Sequence, residues 1–470
     1  MRGWKMLPML LVLLLTASTS FAAGFRLPEA GTKAMGMGFA FTAQADDPSA
    51  IYFNPAGLTQ LKGQNLMVGV TYVRENGGEF TGKTPLTGGA TVSETQETLN
   101  FFIPNMYYTK TTPTGFAYGV GIFAPFGLGQ EYKDENSSIF RNQITKIDLQ
   151  TIVVNPTIAF KLDEVLSVGL GIDFMYGRAK LNGTPVNYGI GDNTAGGNNN
   201  LYNMDMEADA TAWGYNFGLL LKPSANFRVG FNYRSPFTMK FKDGDIDISN
   251  ISQANRTPLV GPGGPGTASL STNAFGGRTS FSGKGSTTLN LPATATLGAA
   301  YTVGRLTVEA DADWTFWGSY KSLDIERPTV NATVYTGLPA PYPPTTTTAV
   351  VKPSSTQKEW NDVCAIRIGA EYRVTEPLAL RAGFVYDPSP VPANTMSPEL
   401  PDADRLNYMV GAGYKVGPWT IDGAFMYIDK RDRTINNQTA TSATGTPGTG
   451  FNGTWSGDAW LLGLDVGYAF

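Results

Sequence analysis

The sequence of 470 residues contains no histidine and a single cysteine, Cys364. The lack of histidine excludes Ser-His and Cys-His catalytic pairs as well as metal sites built on histidine. One cysteine cannot form an internal disulfide. Carboxylate pairs remain as a chemical resource, but neutralisation of nearby basic residues explains them better. We therefore predict that the protein is not an enzyme and has no metal site and no cofactor.

Long apolar runs are absent after residue 22. Before that point, Arg2 and Lys5 precede an apolar run from Met6 to Ala17, and small residues occupy positions 20 and 22. This arrangement is typical of a secretory signal peptide, so residues 1–22 are predicted to be removed. No later segment has the run of about 20 apolar residues that a spanning helix requires. The excess of Asp and Glu (39) over Lys and Arg (35) argues against a nucleic-acid partner.

Alternation of apolar and polar residues is the strongest pattern in the chain. The last twelve residues, AWLLGLDVGYAF, place bulky apolar side chains at every even position, with mainly glycine, alanine and aspartate between them. The same alternation begins at Leu166, Leu306 and Cys364. A soluble sandwich strand also alternates, but here glycine is frequent on the polar face and aromatic residues end the apolar face, as in a membrane barrel. With the signal peptide, this favours the membrane barrel.

Fourteen segments alternate in this way, and bacterial single-chain barrels have an even number of strands. Short turns and long loops also alternate, as expected when the turns face the periplasm and the loops face outside. We predict an all-β fold: a 14-stranded antiparallel transmembrane β-barrel in the outer membrane of a Gram-negative bacterium, with both termini in the periplasm. The long loops, including GGNNN, GPGGPGTA and PAPYPPTTTT, are predicted to be mobile and unable to bury a core. The predicted strands are 65–74, 98–110, 116–124, 145–162, 165–180, 210–222, 226–240, 286–303, 305–318, 358–374, 378–388, 404–416, 418–430 and 456–470.

Residues 23–62 precede the first predicted strand and are too many and too apolar for a linker. Asp47 followed by Pro48 is typical of a helix start. Asn54 before Pro55 predicts the end of that helix, because the residue before proline avoids the helical conformation. A barrel of fourteen strands encloses a lumen that side chains alone do not fill. We therefore predict a small N-terminal hatch, or plug, at residues 23–62 inside a barrel of residues 63–470.

The segment DDPSAIYFNPAGLTQL at 46–61 resembles the hatch of the FadL family of outer-membrane long-chain fatty-acid and hydrocarbon transporters. The resemblance covers essentially the whole chain. It includes FFIPNMYY at 101–108, LNLPATATLGAAY at 289–301 and DADWTFWGSY at 311–320. The hatch motif of the family corresponds to Asn54, Pro55 and Ala56. Phe25 stands where the family has an aromatic residue that reaches the ligand pocket.

The resemblance implies passive uptake of hydrophobic molecules through an apolar pocket above the hatch, followed by lateral release through the barrel wall. Long-chain fatty acids are the leading cargo, and aromatic or alkane hydrocarbons are the alternative, because both need the same apolar pocket. A general porin would lack the plug, and an adhesin-like barrel would use the long loops. Pro104 and Pro156 interrupt predicted strands, so one of them could mark an opening in the wall, although a simple bulge is the more economical explanation.

An apolar pocket binds an alkyl chain because each buried CH₂ contributes about 0.8 kcal/mol. Candidate pocket residues in the hatch are Phe25, Met35, Met37, Phe39 and Phe41, although packing of the plug against the wall would explain each of them as well. A fatty-acid carboxylate also needs a cationic partner, and arginine binds carboxylates with two hydrogen bonds. The inward-facing candidates are Arg367, Arg373 and Arg381. Facing carboxylates such as Glu309, Asp311, Asp313, Glu371 and Asp422 are expected to neutralise most of these arginines.

The predicted partners are a fatty acid or hydrocarbon, the lipid of the outer membrane and, during biogenesis, the barrel-assembly machinery. The last of these is indicated by the C-terminal Phe470 with apolar residues at alternate positions before it. The resemblance favours a monomer.

Overall fold

The structure is a computed structural model that describes residues 24–84, 90–132, 138–140, 144–183, 202–250, 280–326, 329–334, 345–350, 354–436 and 450–470. Residues 1–22, which we interpret as a signal peptide, lie outside these ranges. The loop sequences GGNNN and GPGGPGTA and the first half of PAPYPPTTTT also lie outside the described residues.

The described residues form two short α-helices, Thr32–Gly36 and Ala50–Phe53, two 3-10 helices, Pro55–Gln60 and Trp317–Ser319, and many strands. No helix in this part of the chain is long and apolar enough to cross a membrane. The strands are β1 Gly63–Glu75, β2 Glu79–Lys83, β3 Val92–Thr95, β4 Leu99–Thr111, β5 Phe116–Phe123, β6 Gly127–Glu131, β7 Lys146–Lys161, β8 Leu166–Gly183, β9 Tyr202–Ser224, β10 Phe227–Arg234, β11 Phe237–Asn250, β12 Ser280–Leu291, β13 Thr294–Val303, β14 Leu306–Thr315, β15 Ser322–Glu326, β16 Thr329–Val334, β17 Thr345–Val350, β18 Ser354–Gln357, β19 Val363–Arg373, β20 Leu378–Asp387, β21 Arg405–Val416, β22 Trp419–Ile435 and β23 Asn452–Ala469.

The sheet closes into an antiparallel barrel because β1 pairs with β23 from Asn65↔Ala469 to Glu75↔Ala459. Among the described residues the wall has fourteen strands in chain order, as predicted. Seven of them are interrupted. The pairs that each make one wall strand are β1 with β2, β3 with β4, β5 with β6, β10 with β11, β12 with β13, β14 with β15, and β18 with β19. Closure pairs the two edges that hydrocarbon could not satisfy. The first strand starts and the last strand ends at the rim that carries the short turns, which we call the short-turn end.

The outer face of the wall is apolar, and the inner face is polar. In β23, Leu462 and Leu464 are 47% and 51% exposed, whereas Asp465, the residue after Leu464, is buried. Exposed aromatic side chains lie near both ends of the strands: Tyr301, Tyr372, Tyr414 and Trp419 near the short turns, and Trp213, Trp314, Tyr386, Tyr408 and Tyr427 near the other end. This is the pattern of a lipid-facing band between two aromatic girdles.

The lumen is filled by residues 24–62, which we call the N-terminal segment. Its backbone lies directly against the inner face of the wall. A Cβ atom at Gly383 would be 2.0 Å from the backbone nitrogen of Gly38, and one at Gly369 would be 2.2 Å from the carbonyl oxygen of Met37. The glycines of the polar strand face therefore provide the space in which the segment packs.

The prediction that the long loops bury no core is wrong for residues 389–403. This loop joins β20 to β21 and folds into the mouth of the barrel, where Val391, Met396 and Leu400 are at most 6% exposed. Asp402 in the same loop accepts a hydrogen bond from the backbone N–H of Gly24 at 3.3 Å. A few apolar anchors between prolines and serines are sufficient to bury it. Other predicted loops contain strand, since β2 and β3 lie within 75–97 and β9 begins at Tyr202.

The close approach at Gly383 predicts that Gly383→Ala displaces the N-terminal segment while leaving the barrel closed. The added methyl group would overlap the backbone of Gly38, which cannot move independently of its neighbours. We expect at least tenfold faster hydrogen–deuterium exchange in residues 31–46, measured by mass spectrometry.

Gly423→Ala is the matched control, because a Cβ at Gly423 meets no atom within 4 Å. Equal exchange in the two variants would contradict the assignment of this glycine as a packing position.

Candidate functional site

Two buried carboxylates of β14 hold the N-terminal segment through its backbone. The N–H groups of residues 41 and 42 donate to Asp311 Oδ2, both at 3.1 Å, and those of residues 43 and 44 donate to Glu309 at 2.6 and 2.8 Å. On β23, Asp465 accepts from the N–H of Thr32 at 2.6 Å. We expected Glu309 and Asp311 to neutralise arginines, but they bind main chain instead. Hydrogen bonds to a charged acceptor are among the stronger ones.

The Asn54-Pro55-Ala56 motif fixes the turn of the segment and ties it to the wall. The Asn54 amide donates to the carbonyl oxygens of Thr42 at 2.8 Å and Leu219 at 2.9 Å, and its Oδ1 accepts from the N–H of Ala56 at 3.1 Å. The backbone of Asn54 is extended, with φ −168° and ψ 103°, and Pro55 begins the 3-10 helix. The helix end predicted at Asn54 is therefore confirmed, and the contacts of the motif are structural ones.

Phe25, near the start of the segment, is enclosed by four aromatic side chains. Its ring centroid lies 4.6 Å from that of Trp317, 5.6 Å from Trp360, 5.8 Å from Tyr320 and 6.4 Å from Phe126. All of these rings are buried, and most contacts are edge-to-face, the arrangement that aromatic pairs prefer. We call these four residues the aromatic cage.

A small polar cavity of about 30 Å³ lies beside the start of the segment. Glu29, Arg367 and Asn407 are among the residues that line it. Among the described residues, both carboxyl oxygens of Glu29, the Nε of Arg367 and the Oδ1 of Asn407 have no hydrogen-bond partner. A cavity of this size holds a water molecule but not a cargo molecule. These four unpaired atoms can form hydrogen bonds with a small polar group of a ligand.

Charges around the cavity are unevenly compensated. Asp313 is bound by Arg367 and also by Arg26, whose Nη1 is 2.6 Å from the carboxylate. Glu29 is buried at 2% exposure and forms no ion pair with a described residue. Burial raises the pKa of Glu29 from its ordinary value of 4.5 to about 8, although Arg367 and Arg405 counteract this. The Glu29 carboxyl is therefore largely protonated near neutral pH.

The wall is broken next to this site. β4 pairs with β5 only over Met106–Thr111, and β6 pairs with β7, so that β4 residues 99–105 have no partner strand on that side in the described chain. The connecting residues Ala124–Phe126 pair with the N-terminal segment instead: the N–H of Leu27 donates to the carbonyl of Pro125 at 2.8 Å, and the N–H of Gly127 donates to that of Phe25 at 2.9 Å. The wall at this point depends on the segment.

The two prolines that we considered as marks of an opening differ in position. Pro104 lies in the unpaired stretch of β4, opposite Val70 of β1. Pro156 faces Val120 in a paired ladder, where the amide of Asn155 donates to the carbonyl of Ile172 at 3.0 Å. Pro104 therefore adjoins the break, and Pro156 does not.

The structure brings only some of the predicted ligand residues together. Phe39 and Arg367 line the polar cavity, and Phe25 lies in the adjacent cage. Arg373 and Arg381 line a cleft of about 850 Å³ at the short-turn end, and Arg381 is bound there by Glu371 and Asp422. Met35, Met37 and Phe41 are fully buried in the packing of the segment.

The sequence patterns did not predict that Glu29 would line the cavity or that Trp317, Trp360 and Phe126 would surround Phe25. Trp317 follows the strand β14 inside the quoted stretch DADWTFWGSY, where two tryptophans in four residues could have pointed to a specialised position. No signal in the sequence distinguished Glu29 from a solvated carboxylate.

Comparisons with known proteins identify the family. The family model described as outer membrane protein transport protein (OMPP1/FadL/TodX) matches residues 13–470. The chain is 26% identical over 478 residues to the long-chain fatty acid transport protein of Escherichia coli O6:H1, covering 97% of this chain and 96% of that protein. A FadL homologue of Pseudomonas aeruginosa has a TM-score of 0.71 at 20% identity, covering 95% of this chain and all of that one.

The toluene transporter TodX of Pseudomonas putida has a TM-score of 0.62 at 18% identity, covering 96% of this chain and 100% of that chain. The structural likenesses show a common barrel fold, and the family match spans nearly the whole sequence. The protein therefore belongs to the OMPP1/FadL/TodX family of outer-membrane transport proteins.

Proposed function

We propose that the protein mediates passive uptake of hydrophobic molecules across the outer membrane, with long-chain fatty acids as the main cargo. One observation carries the proposal: the aromatic cage, the polar cavity and the break in the wall meet at the start of the N-terminal segment. Phe126 belongs to the cage and also to the stretch that leaves the wall. A molecule held in the cage is therefore beside an exit toward lipid.

The cargo enters by taking the place of Phe25. The cavity of about 30 Å³ is much smaller than the roughly 300 Å³ of the smallest typical ligand pockets, so binding needs a rearrangement. Phe25 is the residue whose departure frees an apolar site ready to accept an alkyl chain. Hydrogen bonds from the segment to residues 124–126 break in the same step, which opens the wall sideways.

A fatty acid fits better than a cargo without a polar group. Arg367 presents an unpaired N–H donor beside the cage, and the buried Glu29, largely protonated near neutral pH, presents an O–H donor. A fatty-acid carboxylate accepts from both. A hydrocarbon would leave these atoms without partners.

Aromatic hydrocarbons are the second candidate cargo, favoured by the cage itself. Four aromatic rings arranged around Phe25 would hold a monoaromatic ring with the same edge-to-face contacts. The relatives include both a fatty acid transporter and a toluene transporter by name.

The remaining parts have roles consistent with this route. Residues 1–22 direct export, residues 23–62 act as the hatch that separates the cavity from the periplasm, and residues 63–470 form the barrel. The short-turn end and both termini lie in the periplasm, as in other barrels of this class. The protein acts as a monomer and is inserted by the barrel-assembly machinery, with Phe470 as the terminal signal.

Uptake of labelled oleate and of toluene in cells with and without the protein tests the proposal. We expect faster oleate uptake when the protein is present. Arg367→Gln should weaken oleate binding by roughly 10- to 100-fold, because a hydrogen bond to a charged group contributes about 1.5–3 kcal/mol. Toluene uptake should not change in this variant.

Arg373→Gln is the matched control on the same strand, since Arg373 lies at the short-turn end. Equal uptake of both compounds with and without the protein would rule out transport of either. Loss of oleate binding in Arg373→Gln instead of Arg367→Gln would show that the fatty-acid carboxylate binds at Arg373 and not at Arg367.

Substitution of Phe25 and of Trp317 should change oleate binding in opposite directions. Phe25→Ala removes the competitor for the cage, so oleate binding to purified protein should tighten at least tenfold, because the ligand fills a cavity whose creation costs about 3–5 kcal/mol. Trp317→Ala removes part of the cage and should weaken binding about tenfold, measured by isothermal titration calorimetry. Weaker binding in both variants would make Phe25 a wall of the site and not its occupant.

Docking of the segment should depend on pH through Glu29. The docked segment holds the carboxyl protonated up to about pH 8, whereas the released segment ionises near 4.5. Docking is therefore unaffected below about pH 4.5, weakens as the pH rises from 4.5 to about 8 and is constant above that. Hydrogen exchange of residues 24–30, corrected for its intrinsic pH dependence, should increase over this range.

Glu29→Gln should remove the dependence, because an amide does not ionise. The same pH profile in this variant would show that another group controls docking.

A further inference from the structure

A second cleft opens at the short-turn end, on the opposite side of the N-terminal segment from the aromatic cage. It has a volume of about 470 Å³. The N-terminal segment and the turns after β7 and β9 enclose it, together with the ends of β10, β13, β14 and β19 that lie at the short-turn end. Gln44, Asp46 and Gln60 contribute its inner side. The backbone of Gln44 is bound to Glu309 at 2.8 Å, so the segment separates this cleft from the cargo site.

Three basic side chains, Lys222, Arg228 and Arg373, line this cleft. None of them takes part in an ion pair or a side-chain hydrogen bond with a described residue. Five other arginines of the lumen, by contrast, are each bound by a carboxylate. These are Arg26, Arg234, Arg367, Arg381 and Arg405.

The acidic residues of the cleft do not supply the missing charge. Asp46 is bound by Lys33 at 2.8 Å, and Glu164 is bound by Lys161 at 2.6 Å. Lys33 also lies 3.5 Å from Glu371, which Arg381 binds together with Asp422, so Asp46, Glu371 and Asp422 share two cations. The single negative charge left over in that cluster does not balance Lys222, Arg228 and Arg373, and the cleft retains a net positive charge.

We propose that this cleft is a binding site for a phosphate group presented from the periplasm, either as free phosphate or as the phosphate of an anionic phospholipid head group. Arginine guanidinium groups bind phosphate oxygens in pairs, and lysine adds a point charge. The hydroxyls of Thr302 and Thr307 line the same cleft and are hydrogen-bonded to each other at 3.0 Å, so one of them and the hydroxyl of Ser224 can donate to further oxygens.

Free phosphate fits this set better than a carboxylate. It carries a charge of about −1.5 to −2 near neutral pH, as a phosphate monoester does, and at least three acceptor oxygens, whereas a carboxylate carries a single charge on two oxygens. Three cations with two available hydroxyl donors match free phosphate, and a phosphodiester head group, with one charge on two free oxygens, uses only part of the set. The cleft also faces away from the cage, so the site acts independently of the cargo route.

Binding is tested on the processed full-length protein in neutral detergent at constant ionic strength. Inorganic phosphate is titrated by calorimetry, and phosphatidylglycerol is added in native mass spectrometry, with zwitterionic phosphatidylethanolamine as the comparison lipid without net charge. The test variant combines Lys222→Gln, Arg228→Gln and Arg373→Gln. The matched control combines Lys110→Gln, Arg305→Gln and Lys415→Gln, which removes the same charge from the short-turn end without touching the cleft.

We expect the test variant to bind phosphate at least tenfold more weakly than the native protein, and the control to bind within twofold of it. A parallel loss of phosphatidylglycerol binding identifies a lipid head group as the occupant, and unchanged lipid binding identifies free phosphate. Equal losses in the test variant and the control, or no binding of either probe to the native protein, would overturn the proposal.

The three residues lie outside the cargo site, so oleate binding serves as the check that the test variant is folded. If the triple variant does not insert, Arg228→Gln alone is compared with Arg305→Gln in the same assays. A tenfold difference between these two supports the site, and equal binding refutes it.

Discussion

Backbone amides bound to buried carboxylates are the interaction on which the arrangement of this protein depends. A plug inside a barrel could be held by apolar contacts, but apolar contacts do not select one position along a smooth wall. Glu309 and Asp311 instead receive four successive N–H groups of the segment, and Asp465 receives a fifth from the other side. A buried carboxylate without these donors would be costly, so the segment and the wall require each other.

This dependence also explains the composition of the inner face. Carboxylates can reach the backbone of the segment only where that backbone lies close to the wall, and closeness requires strand residues without side chains. Gly369 and Gly383 supply the space beside Met37 and Gly38. The glycines and the acidic residues of the polar face thus act together. The glycines allow the backbone of the N-terminal segment to lie close to the wall, and the carboxylates then bind its N–H groups.

The period-two alternation was sufficient to predict the barrel and its fourteen strands, because burial on one face imposes that period on every wall strand. The plug followed from its length and composition, and the turn at Asn54 from the stereochemistry of proline. Positions along the strands were also predictable in part. Arg367 and Arg373 are six residues apart, which corresponds to roughly 20 Å along a strand, so they could not share one ligand.

Other features depend on contacts that alternation does not encode. The break after Phe123 carries Pro125, but Pro156 shows that a proline can also lie in a strand that keeps both neighbours. There the β7–β8 pairing skips only residues 155 and 156, and the Asn155 amide donates to Ile172 in place of the lost backbone donor. Loop 389–403 has the composition of a mobile connection and yet is buried, since three apolar residues find space in the mouth. The aromatic cage joins residues from positions 126, 317, 320 and 360 around Phe25, a combination that only the folded chain brings together.

The pairing of residues 124–127 with Phe25 and Leu27 has a mechanical consequence. In hydrocarbon, backbone groups that lose their partners have no water to replace them. When residues 25–27 leave the lumen, the adjoining part of the barrel wall therefore loses its hydrogen-bond partners at the same time. Release of the N-terminal segment and opening of the wall are one concerted event, and a barrel with an empty lumen and a closed wall is not a stable state.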